Sequence, residues 1–287
     1  MTAKVISGKE VAAQIREELK GEVNEVKEQG ITPGLAVLLV GDDPASHSYV
    51  RGKEKACNET GILSSVTRLT SEVSERELLQ RIEDLNNDPT IHGILVQLPL
   101  PDHISETKVI ETISPEKDVD GFHPVNIGRM MTGQKAFLPC TPHGIIKMIQ
   151  SQGISLSGKH AVIVGRSNIV GKPVGQLLLN ENATVTYCHS KTANMQEITT
   201  QGDILIVAVG RAGFIGKDYI KEDAVVIDVG VNRKEDGKLY GDVLFEEAAE
   251  KASYITPVPG GVGPMTITML LYNTVESAKR TLEGASS

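Results

Sequence analysis

Four side chains of types that can move protons or hold a ligand fall three or four apart in one stretch: Ser46, Tyr49, Lys53 and Cys57. On a helix that spacing puts them along one face. Tyr49 and Lys53 form the informative pair, because a lysine whose pKa falls on desolvation can act as acid or base beside a tyrosine. The same residues also fit a solvated lysine stem next to a half-buried tyrosine. Gln97, in Val96-Gln-Leu-Pro-Leu-Pro101, stands at the end of an apolar run, where its amide could orient a substrate or the lysine, or simply end a strand. Asp120, followed by Gly121, fits an Asx turn as readily as a ligand anchor. Further on, Gly260, Gly261 and Gly263 alternate with Pro259 and Pro264, a pattern suited to close backbone approach to a ligand.

A second group has the chemistry of an anion site. The apolar run Ala161 to Val164 leads to Gly165, a polar turn follows, and Val174, Leu177 and Leu178 recur with helical spacing. That is strand, glycine turn, helix, the arrangement that aims backbone N–H groups and a helix N-terminus at a phosphate. Gly165, Gly171 and Gly175 do not follow the G-x-G-x-x-G spacing, so the glycines alone are compatible with mere topology. The next strand, Ala183 to Cys188, ends in His189, Ser190, Lys191 and Thr192, where an NAD-binding unit places an acid for the ribose. With no carboxylate there and with Arg166 just past the first glycine, the pocket suits a ribose 2′-phosphate and therefore NADP. Arg166 and Lys191 also read as ordinary solvated charges.

The elements that would carry these groups alternate. A capping box, Ser7 to Glu10, starts a helix with Val11, Ile15, Leu19, Val23 and Val26 on one face, ending near Gly30. Gly34 to Gly41 is a strand apolar throughout, as in a parallel sheet. Asp43 and Pro44 cap a helix that runs to about Thr60. A strand at Ser65 to Leu69, a helix opened by Ser74 and Glu77, and a strand at Ile91 to Leu98 complete an α/β alternation. Residues from Pro115 to Pro142 read as a long, mostly irregular connection. Beyond it come a helix at His143 to Gln150, strands at Ala161 to Val164, Thr184 to Cys188, Ile204 to Val209 and Val225 to Val229, a short strand near Tyr254, and an amphipathic helix after Met265 that extends through Leu282.

At 287 residues the chain is long enough for two α/β domains. A hydrophobic fraction of 40% and a net charge of −8 suit a globular protein without a nucleic-acid face. No apolar run spans a bilayer and the start lacks the apolar core of a secretory signal, so no membrane partner and a cytoplasmic location are expected. Three widely spaced cysteines fit reduced thiols, and no metal-ligand spacing is present.

Taken together, Pro44-Ala-Ser-His-Ser-Tyr-Val-Arg-Gly-Lys53, Val96-Gln-Leu-Pro-Leu-Pro101, Asp118-Val-Asp-Gly-Phe-His-Pro124, Pro139-Cys-Thr-Pro142, Gly165-Arg-Ser-Asn-Ile-Val-Gly171 and Pro257-Val-Pro-Gly-Gly-Val-Gly-Pro-Met-Thr266 closely resemble the bifunctional methylenetetrahydrofolate dehydrogenase/methenyltetrahydrofolate cyclohydrolase family. The resemblance spans essentially the whole chain. It implies an N-terminal α/β catalytic domain at residues 1–139, a Rossmann-like NADP domain at 140–268, and a C-terminal helix at 269–287 returning to the first domain. It implies oxidation of 5,10-methylenetetrahydrofolate with NADP and hydrolysis of the methenyl product, both in tetrahydrofolate interconversion. By motif, Lys53 is the acid/base residue of hydrolysis, Tyr49 packs and hydrogen-bonds beside the substrate, Gln97 tunes the lysine, and Asp120 anchors the pterin. Leu98, Gly263, Pro264 and Thr266 border the folate. Gly165, Arg166, Ser167 and Ser190 hold the phosphates and ribose of NADP, Val231 lies near the cofactor, and Thr141 sits where the domains join, close to the nicotinamide. Family members are typically homodimers joined through the NADP domain. A shikimate-type NADP dehydrogenase and a non-catalytic NADP-sensing module are the competing readings.

Overall fold

The computed structural model describes residues 3–285 of the chain, and side-chain surroundings through Leu282. Strand β1 (Lys4–Val5) and helix α1 (Gly8–Glu28) open it. The Ser7 hydroxyl accepts from Glu10 N, as the capping box requires. Then follow β2 (Gly34–Val40), α2 (Pro44–Thr60), β3 (Leu63–Leu69), α3 (Glu75–Asn87), β4 (Gly93–Val96), α4 (Glu106–Thr112) and α5 (Pro124–Met131). The second half holds α6 (Cys140–Ser151), β5 (His160–Val164), α7 (Gly171–Asn180), β6 (Thr184–Cys188), α8 (Met195–Thr199), β7 (Ile204–Val207), β8 (Val225–Asp228), the strands β9 (Asn232–Arg233) and β10 (Leu239–Tyr240), α9 (Phe245–Ala249), β11 (Tyr254–Ile255) and α10 (Val262–Ala285).

These elements form two compact units, both discontinuous in sequence. One combines Gln14–Cys140 with the chain from Ile267 onward; the other combines the segment up to Ala13 with Thr141–Thr266. In the first, three parallel strands lie in the order β3-β2-β4. All seven residues of β2 are buried, as its unbroken apolar sequence demands of a central strand. Ala36, Leu38 and Val40 pack with Ile94 and Val96 of β4 against Leu78 and Ile82 of α3 and Val109 of α4. In the second, six parallel strands run β1-β11-β8-β7-β5-β6. β5 is flanked by β6 on one side and β7 on the other, so the strand order reverses there, the crevice at which doubly wound sheets bind ligands.

The structure departs from the sequence expectations at identifiable places. The connection from Pro115 to Pro142 contains α5, whose start is marked by Pro124 in the first turn and by His123 Nδ1, which accepts from Val125 N at 3.1 Å. Helix α6 already begins at Cys140, and α10 at Val262, so Gly263, Pro264 and Thr266 belong to its first turns; Pro264 is tolerated where N–H groups have no intrahelical acceptor. β4 stops at Val96, before the Pro99 that could not donate to a ladder. Lys4–Val5 pairs in parallel with Tyr254–Ile255, which joins the start of the chain to the six-stranded unit, whereas the sequence reading grouped it with the catalytic domain.

Candidate active site

In the three-stranded unit, Asp43 caps α2 by accepting from Ser46 N at 2.7 Å, and Gly61, at φ 82°, closes the helix. Between these ends Val50, Lys53, Ala56 and Cys57 form the buried face. Lys53 is thus carried inward by helix geometry, and its Nζ donates to Gln97 Oε1 at 2.8 Å. Gln97 sits just past β4, its backbone N bonded to Leu38 O, and its Nε2 donates to Leu98 O at 2.7 Å. With the amide nitrogen so engaged, its oxygen faces the lysine. Tyr49, one turn before Lys53, is 42% exposed, available to stack on or hydrogen-bond a ligand.

Burial lowers the pKa of Lys53, because a desolvated ammonium is disfavoured; the nearby Asp120 carboxylate opposes the shift. Burial likewise raises the pKa of Asp120, with Lys53 opposing. Each group therefore holds the other closer to its charged form. Two neighbours overlooked in the sequence complete the setting. Asp118 is buried and accepts from Phe122 N, His123 N and Asn126 Nδ2, which fixes the turn around Asp120; desolvation pushes its pKa up to about 7. Asn273, on α10, donates from Nδ2 to Val119 O at 2.8 Å and Leu138 O at 3.0 Å, tying the residue before Asp120 to the segment that leads into α6. The first signal was visible as an Asp-x-Asp repeat, but a buried asparagine on a helix leaves no local signature.

In the six-stranded unit, Gly165 follows β5 at φ 140°, and a Cβ on it would strike Ala208 O. A Cβ on Gly171, at the start of α7, would meet Gly165 O at 2.6 Å. The turn is therefore closed as tightly as backbone allows, a cradle that side chains would fill. Ser167 Oγ accepts from Val170 N and Gly171 N, both at 3.2 Å, capping two N–H groups at the start of α7. Arg166 and Ser190 are exposed and each follows its strand by two residues; since Val164 and Cys188 are register partners, the two lie at one edge of the sheet. No acid occupies the turn after β6, where His189 N and Lys191 N are bound by Thr192 Oγ1 and His189 Nδ1. These residues fit a phosphorylated dinucleotide. Val231, 46% exposed, follows β8 at the same edge. Thr141 and Thr266 are joined, Oγ1 to Oγ1, at 2.8 Å, and Gly263 borders open space.

Residues 6–120 match the catalytic domain, and residues 139–282 the NAD(P)-binding domain, described for tetrahydrofolate dehydrogenase/cyclohydrolase. The chain belongs to this family. The bifunctional protein FolD of Bacillus subtilis is 68% identical over 282 residues, covering 98% of this chain and 100% of its own. Among solved structures, the FolD methylenetetrahydrofolate dehydrogenase/cyclohydrolase of Campylobacter jejuni is 53% identical with a TM-score of 0.95, covering 97% of this chain and 99% of that one. The Trypanosoma brucei enzyme, solved with NADP and an inhibitor, is 39% identical with a TM-score of 0.94, covering 98% and 99%. A shikimate 5-dehydrogenase from Thermus thermophilus shares the fold alone, at 16% identity and a TM-score of 0.54 over 86% of this chain and 98% of its own, so the competing shikimate reading is the weaker one. The protein is a bifunctional dehydrogenase/cyclohydrolase of folate one-carbon metabolism that uses NADP.

Proposed function

We propose that the two activities rest on separate sets of residues: the Lys53, Gln97 and Asp120 cluster acts on the folate, and the edge carrying Gly165, Arg166, Ser167, Ser190 and Val231 holds NADP. The observation that carries this reading is the buried Lys53 amine held at 2.8 Å by Gln97 Oε1. Desolvation favours its neutral form, which can take a proton from water attacking the methenyl carbon. Asp120 binds the amino-pyrimidinone edge of the pterin through its carboxylate, and Tyr49 covers the ring. Leu98, Gly263, Pro264 and Thr266 border the folate, and Thr141 stands near the nicotinamide. When bound, NADP supplies the hydride acceptor for oxidation of the methylene compound. For that step the chain's own part is positioning.

Arg166 and Ser190 select NADP by donating to the 2′-phosphate. The enzyme works as a cytoplasmic homodimer joined through the NADP-binding unit, where β6 presents the free edge of the sheet and Leu179 and Tyr187 are exposed. One spectrophotometric assay tests the central reading: NADPH formed from methylenetetrahydrofolate and loss of methenyltetrahydrofolate are followed together. Cofactor binding without either turnover would return the protein to an NADP-sensing role. Light scattering tests the dimer.

A further inference from the structure

Two buried carboxylates lie behind the loops that follow β7 and β8, and neither has a role so far. Asp242 is fully buried and receives four hydrogen bonds. Val209 N and Gly210 N donate to its Oδ2 at 2.7 and 2.9 Å, and Arg211 N and Asn232 Nδ2 donate to its Oδ1 at 2.8 and 2.9 Å. Asp228, at the end of β8, accepts from Gly230 N and Asp242 N through Oδ1, both at 2.9 Å, and from Val243 N through Oδ2 at 3.0 Å. Its own backbone N is held by Thr256 Oγ1 at 2.8 Å. The carboxylates fill the space a side chain would need at two glycines: a Cβ on Gly230 would strike Asp242, and one on Gly241 would strike Asp228. The sequence pattern Asp228-Val-Gly and Gly241-Asp is thereby explained by one interlocked unit.

What this unit holds is the floor of one part of the ligand-binding edge. The sheet order β8-β7-β5-β6 sets the turns after all four strands along one edge. With the 2′-phosphate at β6 and the glycine turn at β5, a dinucleotide extended along this edge brings its other half to the turns after β7 and β8. Those turns are residues 209–211 and 230–232, the segments that Asp242 binds. A carboxylate meeting three successive backbone N–H groups leaves that loop one conformation, and the bond to Asn232 fixes the neighbour of Val231 to the same anchor.

We infer that Asp242, seated by Asp228, is a positioning residue for the nicotinamide half of NADP, acting through the loop Val209-Gly210-Arg211 and through Asn232. This rests on the reading that places the cofactor at the glycine turn after β5. Asp242→Asn keeps the volume but turns an NH2 toward two of the four donors, whichever way the amide lies. Asn232→Ala leaves the carboxylate and its three backbone donors in place and removes the link to the Val231 turn, together with a bond from the same Nδ2 to Tyr240 O at 3.2 Å.

The test compares binding of NADPH and of 2′,5′-ADP, which lacks the nicotinamide half, by calorimetry on the intact protein. Methenyltetrahydrofolate hydrolysis without cofactor serves as a fold control. In Asp242→Asn we expect NADPH to bind at least fivefold more weakly, dehydrogenase kcat to fall at least tenfold, and both 2′,5′-ADP affinity and hydrolysis to stay within twofold. Asn232→Ala should move the same two quantities by a smaller factor. Unchanged NADPH affinity and kcat in both folded variants would overturn the inference. So would a parallel loss of 2′,5′-ADP binding, which marks a general structural role. If the parent protein failed to bind 2′,5′-ADP in competition with NADPH, it is the cofactor placement that would fall.

Discussion

Lys53 Nζ and Gln97 Oε1 meet at 2.8 Å, joining the buried face of α2 to the end of β4. The contact fixes the amine of a flexible side chain in one place without supplying a negative charge, so the lysine is oriented while its charged form is not favoured as a carboxylate would favour it. A neutral acceptor therefore suits the acid/base role proposed for Lys53.

Removing the amine should separate the two activities. Lys53→Met keeps a long apolar stem in the site but has no base, and general acid/base groups contribute roughly 10²- to 10⁴-fold. Cyclohydrolase kcat should drop by about that factor, with dehydrogenase kcat falling far less. Hydrolysis near the parental rate in the folded variant would remove Lys53 from its role.

The charge on Asp120 should be visible in the pH profile. Burial lowers the Lys53 pKa from its ordinary 10.5 and Asp120 raises it back in part, so the neutral amine accumulates as pH rises through a value below 10.5. Asp120→Asn removes the opposing influence. The ascending limb of cyclohydrolase kcat against pH should then move to lower pH, while folate affinity weakens and NADP affinity does not. A limb that stays in place would show that Asp120 does not act on Lys53.

Cofactor choice should follow the edge formed by the turns after β5 and β6. Charge-assisted hydrogen bonds contribute about 1.5 to 3 kcal/mol each, so two such donors in the roles proposed for Arg166 and Ser190 would give a preference of tenfold or more for NADP. Ser190→Asp adds repulsion against the 2′-phosphate and an acceptor for ribose hydroxyls. The ratio of kcat/KM for NADP over NAD, taken at fixed ionic strength, should fall sharply or invert. A ratio indifferent to both Ser190→Asp and Arg166→Ala would put the phosphate elsewhere on the unit.

Asn273 offers a test of stability. Its Nδ2 serves the carbonyls of Val119 and Leu138 inside the three-stranded unit, and leaving a buried acceptor unpaired costs about 1 to 3 kcal/mol. Asn273→Leu should lower the unfolding free energy by an amount in that range, read as a lower urea midpoint for loss of cyclohydrolase activity multiplied by the m-value, and Asn273→Asp, which aims a carboxylate at two carbonyls, should lower it more. Equal midpoints for parent and Asn273→Leu would show that the clamp is dispensable.

Local chemistry made much of this legible from residues alone. Ser7 with Glu10, Asp43 with Pro44, and Ser74 with Glu77 each mark a helix start that the structure contains, because capping is decided within four residues. The apolar runs at β2 and β5 announced central parallel strands, and Lys53 with Gln97 could be paired as a helix face and a strand end. What escaped is settled by tertiary pairing. Lys4–Val5 is too short to show a strand pattern and becomes one only beside β11. Helix α5 lay hidden among prolines and glycines that otherwise signal loops. Asn273, Asp228 and Asp242 look like ordinary polar residues until strand register and helix return bring carbonyls and N–H groups to them.

The discontinuity of both units bears on how the chain can be made and cut. As synthesis proceeds from the N-terminus, the three-stranded unit lacks Asn273 and Ser277, whose bonds to Val119, Leu138 and Glu116 close it, until the whole intervening segment Thr141–Thr266 has been made. β1, made long before β11, waits for that strand before it has its partner. Fragments divided at the sequence boundary near residue 139 would each lack a piece held by the other, and two such fragments produced in one cell should recover activity only by exchanging those pieces.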